Sequence, residues 1–553
     1  MMKKMELIFV PVPAIGHLVS TVEFAKLLVG RDDRFSVTLL IMKLPMEHSA
    51  VTNYIHSVSA SLSGSIRFVH LPEPDSDSSN SNPSSSSPSV FFHNIIAKQK
   101  PLVRDAVHQL TRSESGQLAG IVFDMICPSI VDVANELGVP SYVFFTSSAA
   151  CLALLIVQSR GQAGPEWWAT VAALLNIDDN SSPATLLLML LSSISGRNLG
   201  DPNKQACFFD LADNSKMQDS NSTLALLFHL QTLKDHQGVD VTEFADSDAE
   251  LVVPGFVNSV PARVLPATAV DKEGGGSMDF LNRVRRFREA KGILVNTFVE
   301  LESHVINSFV DGTTPPIYTV GPLLNLHNAN HQKQDSDLDV IQWLDDQPTS
   351  SVVFLCFGSV GAFHMDQIKE IAIGLENSGH RFLWTLRRPP PKGKIAMPTD
   401  YVNFEEVLPE GFLDRTSKIG KIIGWAPQTA ILAHSAIGGF VSHCGWNSTL
   451  ESIWYGVPVA TWPMYAEQQL NAFQIVKELE IGVEIRLDYK KDTSDIVNAQ
   501  EIESRIRSLM EDSNDIKTNR AKMKEKCVTA LTEGGSLDSS LQRLIGDMIT
   551  NIS

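Results

Sequence analysis

WAPQTAILAHSAIGGFVSHCGWNSTLESIWYGVPVATWPMYAEQ, residues 425–468, is the stretch on which the fold turns. Gly438 to Ser442 form a short apolar run that ends in the polar cluster His443, Cys444, Gly445, Trp446, Asn447 and Ser448. Ser448-Thr449-Leu450-Glu451 fits a capping box, Leu450, Ile453 and Trp454 repeat at helical spacing, and Gly456 with Pro458 supplies the stop. A strand, a polar turn and a helix are therefore expected, with unpaired backbone N–H groups at the helix N-terminus. Such a terminus attracts phosphate through its free donors and its dipole. Gly445 lets the backbone come close, and His443 and the Ser448 hydroxyl add donors. Without its flanks, the same turn would equally serve as an ordinary strand-to-helix connection, with His443 satisfied internally and Ser448 only a cap.

Outward from this unit, near-continuous apolar runs of the kind expected for parallel strands buried on both faces recur along the chain. A first series comprises residues 6–11, 36–44, 66–71, 119–125 and 141–146. A second begins near Ile317 and continues through 351–357, 381–387, 420–425, 438–442, 458–464 and 482–487. Helical patterns lie between several of them, so the reading is two doubly wound α/β domains. The polar stretch LLNLHNANHQKQDS, 323–336, is expected to link them, leaving the active site in the cleft between. The serine-rich segment 73–89 holds too little apolar area to order itself and is expected to be a surface loop.

Composition sets limits on function. The 553 residues with 43% apolar content accommodate two domains with sizeable cores. A net charge of −18 argues against nucleic acid or an anionic membrane surface as partner, since both demand clustered Lys and Arg. Six cysteines at 127, 151, 207, 356, 444 and 527 contain no C-x-x-C pair, so neither a zinc site nor a disulfide framework is expected and a cytoplasmic location fits. The opening MMKKMELIFVPVPAIGH is broken by Pro11, Pro13 and Gly16 and reads as a buried first strand rather than a signal peptide. The longest apolar runs fall short of the roughly 18–20 residues of a spanning helix, so no membrane anchor is expected.

Two residues of the first series carry acid–base chemistry. His17 follows the first strand where Leu18, Val22 and Ala25 begin a helical stripe, near a helix N-terminus whose dipole would disfavour the imidazolium and keep the ring able to accept a proton. Asp124 closes the run AGIVFDM, at a strand C-terminus, where it could orient His17 and stabilise its protonated form. Read singly, His17 would also suit a solvated capping role. A hydrolase triad would need a nucleophile elbow, which the sequence lacks. A nicotinamide-dependent oxidoreductase would need a G-x-G-x-x-G after the first strand, also lacking. Three D-x-D sequences, at Asp75, Asp246 and Asp335 to Asp337, lie in polar or linker settings that suit solvated charge better than a metal-bound diphosphate.

Residues 425–468 resemble, almost position for position, the signature box of the plant family 1 UDP-glycosyltransferases. PVPAIGH at 11–17 is similar to the family's first motif, and FVHLPEP at 68–74, FFTSSAA at 144–150, DSDAELVVPGFVNSVPARVLP at 246–266 and GFLDRT at 411–416 extend the likeness over most of the chain. The resemblance implies a GT-B fold of two Rossmann-like domains: an acceptor-binding domain over 1–322, a UDP-sugar-binding domain over 337–535, and a last helix, 536–553, that crosses back to the first. It implies that Trp425 stacks on uracil, that the Ala426 backbone and Gln428 hold the base edge and ribose, and that Glu451 binds the ribose hydroxyls. That last role competes with the capping box, which would fold Glu451 back on its own helix. Ser359, at the end of SVVFLCFGS, would face the diphosphate with His443, Asn447 and Ser448. Trp446, Glu467 and Gln468 would contact the sugar, with Tyr465 also among the donor-binding positions. Gln468 at the end of the box goes with glucose. His17 and Asp124 would be base and partner in an inverting transfer from UDP-glucose, without metal or further cofactor. The acceptor would be a small hydrophobic molecule bearing a hydroxyl, such as a flavonoid, other phenolic or terpenoid, and the protein a monomer.

One block departs from the pattern. Residues 156–227, 72 in number, interrupt a segment that should run from SSAACLALL into FHLQTL, and Leu-Ala-Leu-Leu occurs at both edges, 152–155 and 224–227. A gene-model insertion explains the repeat, and a true surface insertion would be tolerated at small entropic cost. Because FFTSS and the helix after it would line the acceptor pocket, a UDP-sugar-binding product impaired in catalysis is the alternative reading.

Overall fold

The computed structural model describes residues 4–43, 49–74, 88–113, 117–153 and 247–552, the last with breaks at 252, 254, 271–275, 310–313, 327–334, 392–395, 492–494 and 512. The block 156–227, residues 75–87 of the serine-rich segment, Cys207 and the first two D-x-D sequences, in whole or part, lie outside the described residues.

Two parallel sheets organise what is described. The first contains β1 (Met5–Val10), β2 (Phe35–Ile41), β3 (Ile66–His70), β4 (Gln117–Asp124), β5 (Ser141–Phe145), β6 (Gly292–Val295) and β7 (Ile317–Thr319), in the order β3-β2-β1-β4-β5-β6-β7. The second contains β8 (Val352–Cys356), β9 (Arg381–Thr385), β10 (Gly420–Ile423), β11 (Ile437–Ser442), β12 (Val459–Thr461) and β13 (Gly482–Glu484), in the order β10-β9-β8-β11-β12-β13. Counted within its own sheet, each shows the 3-2-1-4-5-6 arrangement of a Rossmann fold. Every residue of β5 and of β8 is buried, which is why these strands read as unbroken apolar runs.

The second series of strands does not begin at Ile317. β7 pairs in parallel with β6, Ile293 opposite Ile317, and so closes the first sheet. β6, only four residues long, has no separate signature in the sequence, and without it Ile317 has no visible neighbour. The linker stretch also differs from its polar reading. Leu323 joins the first domain's core, and its N–H is held by Asn296 Oδ1 at 2.9 Å. Asp335 already opens a helix, Asp335–Asp345. At the other end of the chain, helix Ser536–Ile552 lays Leu537, Leu541, Leu544 and Met548 against the core of the first domain around Leu7 and Phe9. Tyr318 donates to Asp547 at 2.6 Å and Asn551 to the Tyr142 hydroxyl at 3.1 Å, fixing the helix there.

The topology decides where chemistry can sit. In each sheet the strand order reverses between the first strand and the fourth, β1 beside β4 and β8 beside β11. The crevice beyond the carboxyl ends of those two strands is where open α/β sheets bind ligands.

Candidate active site

His17 and Asp124 occupy the first sheet's reversal point. His17 is the third residue of helix Ile15–Arg31, which starts just after β1, and Asp124 is the last residue of β4. Asp124 is 1% exposed. One of its oxygens accepts the Ile126 N–H at 2.9 Å and the other lies 2.7 Å from His17 Nδ1. A carboxylate can only accept, so Nδ1 carries the proton and Nε2 is left with its lone pair. Thr146, just beyond β5, brings its hydroxyl to 3.1 Å from the same Nδ1.

The electrostatic balance differs from the expectation drawn from the helix terminus alone. Burial opposes charge on His17, but Asp124, through its charge and its hydrogen bond, and Glu467 through its charge, outweigh it and raise the pKa above the usual histidine value.

The second sheet's reversal point holds the other group. β8 ends in the turn Phe357-Gly358-Ser359, and β11 ends at Ser442 before the loop His443–Gly445 and helix Trp446–Tyr455. That helix has Gly445 as its N-cap and no side-chain cap, so its first N–H groups, those of Trp446, Asn447 and Ser448, have no intrahelical partner. His443 lies between the two loops. A Cβ on Gly358 would sit 2.5 Å from His443 Nε2, and one on Gly445 2.6 Å from it. Burial lowers the His443 pKa to about 4, so the ring is neutral at pH 7. Among the described residues no donor or acceptor meets its Nδ1 at strict hydrogen-bonding geometry, and the Cys356 backbone acts on the ring as a hydrogen-bond partner. Cys444 holds a left-handed backbone, φ 62°, rarely adopted by a side-chain-bearing residue, as the chain turns from strand to helix.

The capping box is not formed. With Gly445 as N-cap, Ser448 falls at the third helical position, and Glu451 reaches outward rather than back. Gln428 Nε2 donates to Ser448 Oγ at 2.8 Å and to Glu451 Oε2 at 2.7 Å, and Thr429 donates to Glu451 Oε1 at 3.4 Å. Burial pushes the Glu451 carboxyl up to about 7. The Ala426 carbonyl is occupied by the Gln428 N–H of its own turn. Trp425 is 47% exposed, with the Arg387 guanidinium 5.4 Å from its ring centroid, a cation–π contact that the sequence pattern does not reveal.

The side chains of Trp446 and Asn447 face the first domain. The Trp446 indole donates to the Asn296 carbonyl at 2.6 Å and is 3% exposed, so any contact it makes with a ligand must come from its backbone. Asn447 donates to the Gly16 carbonyl at 2.9 Å and accepts from Ser20 at 3.2 Å, which ties the donor-side helix to the residue preceding His17. Gln468 is 4% exposed, and its Oε1 accepts the Met464 and Tyr465 N–H groups at 2.9 and 3.1 Å. Two backbone donors require oxygen at that end, so the amide assignment is unambiguous. Glu467 accepts from Ser147 at 3.1 Å, and the Tyr465 ring lies 6.5 Å from that of His443.

The two reversal points therefore converge through contacts between the halves, and the His17–Asp124 pair, a neutral imidazole and a helix terminus meet in one region. Two Rossmann-like domains joined in this way define the GT-B architecture. Comparisons with known proteins agree. The family model for UDP-glucoronosyl and UDP-glucosyl transferases matches residues 305–518. The chain is 46% identical to a UDP-glucose flavonoid 3-O-glucosyltransferase 6 of Fragaria ananassa, with 100% of each chain covered. Among solved structures it resembles a UGT transferase from Siraitia grosvenorii in complex with UDP, at 40% identity and TM-score 0.74, covering 99% of this chain and 100% of that one. Medicago truncatula UGT71G1 complexed with UDP-glucose matches at 36% identity and TM-score 0.73, covering 99% and 98%. The chain belongs to the plant family 1 UDP-glycosyltransferases and is a glycosyltransferase. Among the described residues no helix is long and apolar enough to cross a membrane.

Proposed function

We propose that the protein transfers glucose from UDP-glucose to a hydroxyl of a small apolar plant metabolite, a flavonoid, other phenolic or terpenoid, with inversion and without a metal ion. The observation that carries this reading is the His17–Asp124 contact of 2.7 Å in the first domain, joined through Asn447 and Gly16 to a glycine-bounded phosphate turn in the second. His17 Nε2 takes the acceptor proton as the oxygen attacks the anomeric carbon, and Asp124 stabilises the imidazolium that forms. The bond to the UDP oxygen breaks on the opposite face, so one displacement inverts the centre. The charge gathering on the diphosphate is met by the free N–H groups at Trp446–Ser448, by Ser359 and by His443, a neutral buried imidazole bounded by two glycines. Trp425 offers a half-exposed indole face to uracil. Glu451, Gln428 and the Ala426 N–H hold base edge and ribose, and Glu467, with the amide nitrogen of Gln468, holds sugar hydroxyls. The first domain, 1–322, binds the acceptor and the second, 337–535, the donor, in a cytoplasmic monomer.

Screening UDP-glucose, UDP-galactose and UDP-glucuronate against a panel of flavonoids, simple phenolics and terpenoid alcohols tests this. Turnover is expected with UDP-glucose and at least one hydroxylated acceptor, with an inverted product linkage and an unchanged rate in excess EDTA. UDP binding without turnover anywhere on the panel would instead favour the catalytically impaired alternative.

A second expectation concerns pH. Ribose hydroxyls donate to the ionised Glu451, and this carboxyl has a pKa of about 7 before ligand arrives. Bound donors hold it ionised and so lower that pKa, which means affinity is full above about 7 and is lost as pH falls through it. Titration calorimetry should find UDP-glucose bound about tenfold more weakly at pH 6 than at pH 8. UDP-glucose is the correct probe because its diphosphate is a diester and does not itself titrate in this range. Glu451→Gln should flatten the profile, and a flat profile in the unaltered protein would remove Glu451 from ribose binding.

A further inference from the structure

The helix that begins at the sugar-side end of the signature box carries a polar stripe. Helix Gln468–Phe473 continues into a wider turn over Gln474–Glu478, and Glu467, Asn471 and Gln474 stand at i, i+4 and i+7, on one face. Each engages the segment after β5 or its support, in register. Ser147 donates to Glu467 Oε1 at 3.1 Å, and Ser148 donates to Asn471 Oδ1 at 3.3 Å. Gln474 donates to Glu302 Oε1 at 3.0 Å, and Glu302 in turn accepts the Ala149 and Ala150 N–H groups at 2.9 and 3.0 Å. Ser148, Glu302, Asn471 and Gln474 are all at most 5% exposed, so these bonds are shielded from competing water.

Both ends of this seam reach reacting groups. Thr146, immediately before Ser147, contacts His17. On the other side Asn471 Nδ2 donates to the Cys444 carbonyl at 3.0 Å, gripping the strained loop between His443 and Gly445. Asn471 thus holds the base-bearing half with its oxygen and the phosphate turn with its nitrogen.

We propose that Asn471, acting through Ser148, is a positioning residue that sets the separation between His17 and the phosphate turn. It touches neither substrate, and its role is the register of one half of the site against the other. Because a transfer reaction needs acceptor oxygen, anomeric carbon and leaving oxygen in line, a shift well under the length of a bond between the halves slows chemistry while leaving donor contacts within the second domain in place. The inference rests on His17 being the base.

The test uses the full chain with Ser148→Ala, Asn471→Ala and the double substitution, alongside His17→Ala, measuring kcat, KM for UDP-glucose, UDP affinity and Tm. Ser148→Ala removes one hydroxyl and leaves the Asn471–Cys444 bond, so it remains informative if Asn471→Ala folds poorly. The expected result is a fall in kcat of about tenfold for each single variant, KM for UDP-glucose within about twofold, and a double variant no worse than the poorer single. The acid limb of the pH–rate profile should keep its position, since Asp124 and Thr146 still hold His17. Three results would overturn the proposal: Ser148→Ala with kcat within twofold of the parent, a loss carried by a proportional rise in KM, or losses that multiply in the double variant. If His17→Ala retains turnover, it is the assignment of the base that fails, whatever the seam variants do.

Discussion

Replacing His17 by Ala is expected to lower kcat by about 10²- to 10⁴-fold, the usual worth of a positioned general base, while UDP affinity stays within about twofold. The separation of effects follows from topology. His17 belongs to the first sheet's reversal point, and the residues proposed to hold uracil, ribose and phosphate belong to the second's. The parent enzyme should also show an acidic limb in kcat/KM set by a histidine whose pKa is raised, because burial is outweighed by Asp124 and Glu467. The sign is direct: the base works only when unprotonated, so activity is full above the raised pKa and falls as pH drops through it. Asp124→Asn removes the stronger of the two carboxylate influences, so its acidic limb should move to lower pH even as kcat falls, since the imidazolium formed during transfer loses its counter-charge. A limb that stays in place in Asp124→Asn would mean that the titrating group is another residue, and substantial turnover in His17→Ala would give the proton to another base. Steady-state kinetics across pH with a chromophoric phenolic acceptor would read all three quantities.

How much of this was legible in the chain depended on sequence distance. The strand, turn and helix over 437–455 could be read because they are consecutive residues, and the meeting of His17 and Asp124 because strand ends in parallel sheets converge whatever their separation. Thr146 could be quoted within FFTSSAA but not assigned, since its contact with His17 spans 129 positions, and the Ser147–Glu467 bond spans 320. The polar stripe Glu467, Asn471, Gln474 obeys helical spacing, yet spacing says nothing of what it faces. The capping box failed for a local reason: S-x-x-E occurs, but Gly445 takes the N-cap three residues earlier, so the pattern stands one turn too deep in the helix. Against burial, the pKa of His17 moves up rather than down because Asp124, already paired with it in the sequence reading, acts through both charge and hydrogen bond, and Glu467, brought from position 467, adds to it.

Gly358→Ala is expected to weaken UDP-glucose binding by about 10- to 100-fold, roughly 1.4–2.7 kcal/mol, with the fold retained. Two effects add. The backbone at 358 is left-handed, φ 72°, where a side chain costs about 1–2 kcal/mol. The new Cβ would also stand 2.5 Å from His443 Nε2 and 2.8 Å from Cε1, closer than real contacts allow. The imidazole is closely bracketed by both glycines, since a Cβ on Gly445 would likewise stand 2.6 Å from the same Nε2. Something must move, and the candidates are the ring, the Ser359 turn or the loop before helix Trp446–Tyr455, each of which the proposed function assigns to the diphosphate. The two causes can be separated. In a His443→Ala background the clash disappears and the backbone cost remains, so adding Gly358→Ala there should weaken donor binding much less than it does in the parent. Calorimetry on the four proteins of that cycle reads the coupling. Equal losses in both backgrounds would assign the effect to backbone conformation alone, and parent-like affinity in Gly358→Ala would show that the glycine-bounded imidazole is not part of the donor site.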